Sequence, residues 1–166
     1  SFMTKSGKKT DGLGKFWRGC TARSGQGLEV SLLSVIDLQS NTAYALDAKQ
    51  TIDEEDKTRV DLYGEQVVKI AKNILELGIT YLVVDAYYFK EKFVSAVVGT
   101  GLQIVGKLRN DADLLWLYSG PYSGRGRPKI YDGKVNAEKD LHRFEYIGEL
   151  DTGESIYTGV VHSKCL

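Results

Sequence analysis

The feature that most constrains the fold is a short apolar run that lies between two stretches with helical periodicity. The run is Thr-Tyr-Leu-Val-Val at residues 80–84, a pattern typical of a strand covered on both faces. A helix is predicted at residues 88–98 and a further strand at residues 102–108. Strand, helix and strand of these lengths predict a right-handed parallel crossover, so we expect an α/β core with a mixed sheet.

The sequence that precedes this strand–helix–strand segment predicts a β-hairpin. Residues 1–26 are rich in Gly, Lys, Ser and Thr, and we predict irregular structure there. Apolar residues dominate residues 28–38, and turn residues separate them from a second strand at residues 42–48. Asp37 and Asp47 lie at the ends of the hairpin strands, and a role in turns is sufficient to account for both residues.

A long amphipathic helix is predicted between the hairpin and the apolar run. Thr51 and Glu54 fit a capping box, with Thr51 as the N-cap, and Gly78 is placed to end the helix. Its apolar face is predicted from spacings of three and four residues at Val60, Tyr63, Val67, Ile70, Ile74 and Leu77.

The last third of the chain differs in composition from the rest and predicts a β-rich insertion. Residues 119–134 are turn-rich and basic, and residues 144–150 and 155–161 predict a second hairpin. We therefore divide the chain into a core at residues 1–109 and a β-rich insertion at residues 110–166.

Charge and cysteine usage exclude several classes of protein. Basic and acidic residues balance at 22 each, so any contact with DNA has to come from a local cluster rather than from bulk charge. Cys20 and Cys165 form no Cys-x-x-Cys pair, which favours a reducing cytoplasm, and neither His142 nor His162 has a partner at zinc-ligand spacing. No apolar run approaches the roughly 18 residues of a membrane span, so we expect a cytoplasmic protein without membrane contact.

Asp85 is the sharpest candidate for chemistry. It closes the apolar run, and sites in open α/β sheets form outside the carboxyl ends of the strands. The alternative is that it serves only as a turn or cap residue, which is a common role for aspartate after a strand.

A basic loop is the second candidate. Arg125 and Arg127 flank a glycine and are followed by Pro128 and Lys129, which predicts a flat, extended strip that fits the minor groove of A·T-rich DNA and resembles the AT-hook motif. Arg109 and Lys134 add positive charge nearby. The alternative is a solvated surface loop.

Two further aspartates, Asp111 and Asp113, could suggest a metal site close to Arg109. No third ligand or glycine follows at the spacing of a calcium loop, so a turn or a helix cap is the better interpretation.

Taken in order, these pieces resemble bacterial insertion-sequence transposases of the DDE class, and the resemblance spans nearly the whole chain. The stretches that carry it are residues 5–10 (KSGKKT), 27–31 (GLEVS), 50–51 (QT), 81–88 (YLVVDAYY), 108–114 (LRNDADL), 117–120 (LYSG), 124–129 (GRGRPK) and 131–135 (YDGKV).

The resemblance implies a ribonuclease H-like fold: a mixed sheet with flanking helices and a C-terminal β-rich insertion. It also implies two-metal phosphoryl transfer, in which two aspartates and a glutamate hold two Mg²⁺ (or Mn²⁺) ions. Only the second aspartate falls within this sequence, at Asp85. The first is expected on a strand just before Ser1 and the glutamate on a helix beyond Leu166, so we expect the segment by itself not to cleave DNA.

The implied partner is double-stranded DNA at the transposon ends, and the complete protein is expected to form a homodimer in the bacterial cytoplasm, associated with the nucleoid. The residues expected to contact DNA are Arg109, Arg125, Arg127, Lys129 and Lys134. Two other functions stay open. One is a non-catalytic DNA-binding module that uses the basic loop, and the other is a decayed transposase remnant that serves as a folded interaction domain.

Overall fold

The computed structural model describes residues 1–109, 111–122 and 124–163, and within them the chain is mixed α/β, mostly strand with two helices. This confirms the predicted α/β class; Cys165 lies outside the described residues. The helices are α1 (Arg59–Glu76) and α2 (Glu91–Val98). The strands are β1 (Phe2–Thr4), β2 (Gly14–Arg18), β3 (Arg23–Asp37), β4 (Thr42–Gln50), β5 (Tyr81–Val84), β6 (Gln103–Gly106), β7 (Leu114–Leu117), β8 (Tyr131–Lys134), β9 (Glu145–Glu149), β10 (Ser155–Thr158) and β11 (Val161–Ser163).

The chain divides into two compact units. The first comprises Ser1–Val84 and Lys92–Val105, and the second comprises Asp85–Glu91 and Gly106–Leu166. The boundary predicted between residues 109 and 110 lies close to the end of the first unit. The turn after β5, which was predicted to belong to the core, groups instead with the second unit.

In the first unit, β3 organises the N-terminal sheet because it pairs antiparallel with three other strands. One edge of β3 pairs first with β2 and then with β4, and the other edge pairs with β1. The expectation of irregular structure over residues 1–26 is therefore wrong. Strands of three and five residues such as β1 and β2 give too little alternation to be recognised, although Phe16 is buried between neighbours that are not.

Gly27 lies where three strands of this sheet meet. It pairs with Thr4 on one edge and with Gly14 on the other. A Cβ atom added at Gly27 would overlap the carbonyl oxygen of Met3 and would lie 2.7 Å from the ring of Phe2. The close approach of β1 to β3 thus depends on the absence of a side chain at this position.

The hairpin of β3 and β4 is confirmed. At its tip, the carboxylate of Asp37 accepts hydrogen bonds from the backbone N–H groups of Gln39 and Ser40 and from the Ser40 hydroxyl. The Ser40 hydroxyl is the main cause that holds the pKa of Asp37 below its usual value. Asp47 is not a turn residue as predicted, because it lies within β4 and accepts a hydrogen bond at 2.9 Å from the buried Gln66 side chain of α1.

The helix α1 begins seven residues later than predicted. Thr58 is the N-cap and forms a capping box with Asp61, so the predicted cap at Thr51 is wrong. Thr51 is buried, and its N–H donates to the carbonyl oxygen of Glu29, which continues the β4 pairing. The predicted end is confirmed, since Gly78 follows the C-cap with φ of +76°.

The core of the first unit forms between α1, α2 and the N-terminal sheet. Of the predicted apolar face of α1, four residues are buried, Ile70 is half-buried and Leu77 is exposed. The apolar residues buried in this unit are Phe16, Val60, Leu62, Tyr63, Val67, Ala71, Ile74, Phe93, Val97 and Leu102.

The strand β5 pairs with β6 in a two-stranded sheet that is separate from the N-terminal sheet, so the predicted mixed sheet is not continuous in the described residues. The expectation that β5 is covered on both faces is wrong, because Tyr81 is 60% and Val83 is 70% exposed. The following helix begins at Glu91 rather than at residue 88, after a short 3₁₀ turn, Ala86–Tyr88.

The second unit is built from short antiparallel strands. The strand β7 pairs with β8 and with β11, and β9 pairs with β10 in the predicted hairpin. Trp116 of β7 is buried against the ring of Phe144, and its indole N–H donates at 2.9 Å to Oδ2 of Asp140. The guanidinium of Arg143 stacks 4.4 Å from the same indole ring.

Candidate functional site

Asp85 lies directly after β5 and caps the short 3₁₀ turn Ala86–Tyr88. Its Oδ1 accepts a hydrogen bond at 2.9 Å from the N–H of Tyr87, and its carbonyl oxygen accepts one at 3.2 Å from the N–H of Tyr88. The side chain is exposed, and Oδ2 has no partner among the described residues. Asp85 therefore acts as a turn residue through one oxygen and leaves the other free to bind a ligand.

The segment after Asp85 forms one wall of a cavity of about 360 Å³ inside the second unit. The side chain of Phe89 and the Ala86 methyl contribute apolar surface, while Lys90 and Glu91 contribute charge. The segment after β6 and the end of β11 supply the rest of the lining. The remaining lining residues are Leu108, Arg109, Asp111, Ala112, Asp113 and Ser163.

The charges around this cavity are largely paired with one another. Arg109 donates two hydrogen bonds to the carboxylate of Asp111, at 2.8 and 2.9 Å. Lys134 forms an ion pair at 3.0 Å with Asp113. Arg109 and Lys134, which are both predicted to contact DNA, thus have a carboxylate partner already. The interpretation of Asp111 as a turn residue is confirmed, but its main contact is this ion pair.

The basic loop differs in shape from the prediction. Gly124 and Gly126 have φ of +76° and +75°, and the Tyr122 hydroxyl donates at 2.8 Å to the carbonyl oxygen of Gly126. The expected flat, extended strip is therefore wrong, because the left-handed glycines bend the chain. Arg125 and Arg127 are exposed and make no ion pair within the described residues.

Lys129 is the third cation of this loop, and it is held in place. Its ammonium group donates at 2.7 Å to Asp132 and lies 4.8 Å from the ring centre of Tyr118. Asp132 also accepts from Arg143 at 3.1 Å. The Lys129 hydrogen bond is the largest of the effects that hold the pKa of Asp132 below its usual value.

The described residues contain no complete metal site. Over residues 1–109, 111–122 and 124–163, no three His, Cys, Asp or Glu side chains are grouped so that they could hold a metal ion. Asp85 fits as a single ligand because Mg²⁺ prefers carboxylate oxygens and one of its oxygens is free.

A cationic surface at the start of the chain was missed by sequence reasoning. Residues 1–27 contain six Lys or Arg residues and one acidic residue, Asp11, although the chain as a whole is neutral. Charge counted over the whole length concealed this cluster, whereas charge counted segment by segment reveals it. The cations are Lys5, Lys8, Lys9, Lys15, Arg18 and Arg23.

Comparison with known proteins gives no match, whether with family models, curated proteins or solved structures. In the part of the chain that the structure describes, neither helix has the length and apolar character needed to cross a membrane.

Proposed function

We propose that this chain is the central part of a DDE-class transposase catalytic domain, in which Asp85 is one of three metal-binding carboxylates. The observation that carries this proposal is the placement of Asp85. It directly follows β5, it is exposed, and its Oδ2 is free while its Oδ1 is fixed by the Tyr87 N–H. A carboxylate held in this way can bind a cation without a change in the backbone around it.

In such a site, two Mg²⁺ (or Mn²⁺) ions would activate the attacking oxygen and stabilise the leaving oxygen of a DNA phosphodiester. The contribution of Asp85 would be to hold an ion through Oδ2. The Tyr87 N–H would keep the carboxylate oriented, because a hydrogen bond to Oδ1 restricts rotation about the side-chain bonds.

The order of elements supports a ribonuclease H-like fold. An antiparallel group of strands (β1, β3 and β4) precedes α1, and the unit β5–α2–β6 follows. Ser1 is hydrogen-bonded to Val30 in both directions, at 2.6 and 2.8 Å. A strand continued backward from Ser1 would pair along β3, and this is the strand on which the first aspartate is expected.

The uncovered face of β5 is compatible with the same proposal. Tyr81 and Val83 present apolar side chains to solvent, although the composition of β5 is that of a fully covered strand. A helix that carries the expected glutamate could cover this face, as flanking helices do in α/β sheets.

The proposal is tested by Asp85→Asn in a protein that contains this chain together with the two other expected carboxylates. Asparagine can cap the same turn, so the fold should persist while the anionic ligand is lost. We expect DNA cleavage to fall by about a thousandfold, because a bound metal contributes several kcal/mol of charge stabilisation. DNA binding should change little.

The matched control is Asp37→Asn, which alters another turn aspartate, at the tip of the β3–β4 hairpin. Cleavage by this variant should equal that of the unchanged protein. If the Asp85→Asn variant cleaves DNA at the normal rate, Asp85 is not a metal ligand.

A second candidate function is DNA binding without catalysis, and it is favoured by the two free arginines of the basic loop. Arg125 and Arg127 are exposed and unpaired in the described structure, unlike Arg109. Changing both to alanine should weaken binding to A·T-rich duplex DNA and lower the slope of log K against log salt by about two. Lys139→Ala, which removes an exposed cation outside the basic loop, is the control. Unaltered binding by the double variant would exclude this function.

A further inference from the structure

The first unit carries a cationic surface that includes an exposed tryptophan and plays no part in the function proposed above. We call it the N-terminal basic surface. It comprises Lys5, Lys8, Lys9, Lys15 and Trp17.

The pairing of β2 with β3 fixes which side chains share a face. Trp17 pairs with Ser24 and Lys15 pairs with Gln26 in the antiparallel register. Since side chains alternate along a strand, these four residues lie on one face, and all four are exposed. Phe16 points to the opposite face and is buried, so the orientation of β2 is set by its core contact.

Two hydrogen bonds tie the lysine-rich loop to this hairpin. The Gln26 side chain donates at 3.1 Å to the carbonyl oxygen of Gly7, and the backbone N–H of Lys5 donates at 3.4 Å to the carbonyl oxygen of Gln26. The loop that carries Lys8 and Lys9 is therefore attached beside the face that carries Lys15 and Trp17.

The charges of this surface are not neutralised by the protein. Within the described residues, the side chains of Lys5, Lys8, Lys9 and Lys15 form no ion pair. Three cations of the second unit, Arg109, Lys129 and Lys134, each have a carboxylate partner by contrast. An array of free cations attracts a polyanion.

The exposed indole of Trp17 adds a group that can stack on a base to the positive charge of this surface. Trp17 is 64% exposed, whereas the other tryptophan, Trp116, is 5% exposed. A large aromatic ring left in water beside cationic groups can stack on a nucleic-acid base while the cations contact the neighbouring phosphates. A base offers its face in this way only when it is unpaired, because in a duplex its faces are covered by neighbouring base pairs.

We infer that the N-terminal basic surface binds single-stranded nucleic acid, with Trp17 stacked on a base and the lysines on the backbone. Asp85 and metal ions take no part in this binding. Its failure would leave the transposase proposal intact, and an inactive Asp85→Asn variant would leave this inference intact.

The test is a titration of the whole chain with a single-stranded oligo(dT) of about 15 nucleotides, a length within the range bound by known single-strand sites. Tryptophan emission should be quenched on binding. The Trp116→Phe variant should be quenched as in the unchanged chain, and the Trp17→Phe variant should lose the quenching while binding with moderately lower affinity.

Affinity is measured independently by the anisotropy of a labelled oligonucleotide. We expect Trp17→Ala to weaken binding by about tenfold to a hundredfold, the usual effect of removing one stacking ring. A Lys8→Ala, Lys15→Ala double variant should lower the salt slope by about 1.4, which is about 0.7 for each phosphate that the variant no longer neutralises. The control is Lys72→Ala, which removes a cation that is 87% exposed on α1.

An oligo(rU) of the same length distinguishes RNA from DNA, and either preference is compatible with the inference. Three results would overturn it: tryptophan emission that does not respond to oligo(dT), a Trp17→Ala variant that binds as tightly as the unchanged chain, or a blunt duplex that binds more tightly than the single strand. Circular dichroism of each variant verifies that its fold is retained.

Discussion

At the scale of single residues, Asp140 shows how one carboxylate can hold a small unit together. Its Oδ2 accepts hydrogen bonds from the Trp116 indole N–H at 2.9 Å and from the Asn136 backbone N–H at 2.8 Å. The Trp116 hydrogen bond is the largest of the effects that lower the pKa of Asp140 from its usual value of 3.8. Because the folded pKa is lowered, the stabilisation is fully present above the unfolded pKa and disappears as the pH falls through the folded pKa.

We therefore predict that Asp140→Asn lowers the Tm at neutral pH and that its Tm approaches that of the unchanged chain as the pH falls below 3.8 and through the lowered folded pKa of Asp140. Thermal unfolding followed by circular dichroism across this pH range measures both effects. Asp151→Asn, in the exposed turn between β9 and β10, is the control. A Tm difference that does not shrink at any pH between 7 and the acid unfolding of the chain would contradict the assignment.

The other aspartates show what a sequence can and cannot reveal about single residues. The partners of Asp37 lie two and three positions further on, so its role in a turn was predictable. Asp47 accepts from Gln66, 19 residues away, and no local pattern could indicate that contact. Asp85 was correctly placed at the end of a strand, but which of its oxygens is free is a property of the folded turn alone.

At the scale of elements, α1 contains a glycine for which the fold provides no reason. A Cβ added at Gly64 would lie 3.7 Å from Phe93 and 3.8 Å from Ala96, which are ordinary van der Waals distances. Alanine also has a higher helix propensity and a lower entropy in the unfolded chain. The site is buried, so the added methyl group would contribute apolar contacts as well.

We predict that Gly64→Ala raises the free energy of unfolding by about 1 kcal/mol. The matched variant is Gly78→Ala, which should lower it by about 1 kcal/mol or more, because Gly78 has φ of +76° and a side chain is strained there. Urea denaturation measures both. A loss of stability in Gly64→Ala would mean that α1 and α2 cannot accommodate even one methyl group.

The start of α1 explains why element boundaries were harder to predict than the elements. Two segments carry a threonine followed three residues later by an acid, beginning at Thr51 and at Thr58. The first is drawn into extended structure by its hydrogen bond to Glu29, a residue distant in the sequence, so only the second can cap the helix. Whether such a threonine joins a strand or caps a helix is decided by tertiary contacts, and a local sequence motif contains no information about them.

At the scale of the whole molecule, a neutral total conceals charges of opposite sign in different segments. Residues 1–27 are strongly cationic, whereas the β9–β10 hairpin carries only acidic charge, on Glu145, Glu149, Asp151 and Glu154. The cationic segment of one molecule can attract the acidic segment of another, and this attraction is strongest when the net charge is near zero because the molecules then do not repel each other.

We predict weak, salt-sensitive self-attraction near the pI of about 6.7. The second virial coefficient from light scattering should become more positive between about 50 and 200 mM salt, as screening shortens the range of the interaction. A Glu149→Gln, Glu154→Gln double variant should show a smaller effect of salt. A coefficient that falls with added salt would indicate apolar rather than electrostatic attraction.

The α/β class was predictable at this scale because the spacing of apolar residues over residues 28–108 changes clearly between strand segments and helix segments. The division into separate sheets was not, because strand pairing depends on partners far apart along the chain. The burial of β5 was overestimated for the same reason. Its apolar composition shows that the strand can be buried, but it does not show which face of the strand is covered in this chain.

The crowding at Gly27 has a consequence for how this sequence can vary. Any side chain at that position meets the backbone of β1, so a substitution would act on folding before it could act on any activity. In a library of random variants, Gly27 would be retained equally under selection for solubility and under selection for DNA binding. Under the two proposals made above, Asp85 and Trp17 would each be retained only under selection for the proposed activity, and this difference would separate architectural from functional constraint.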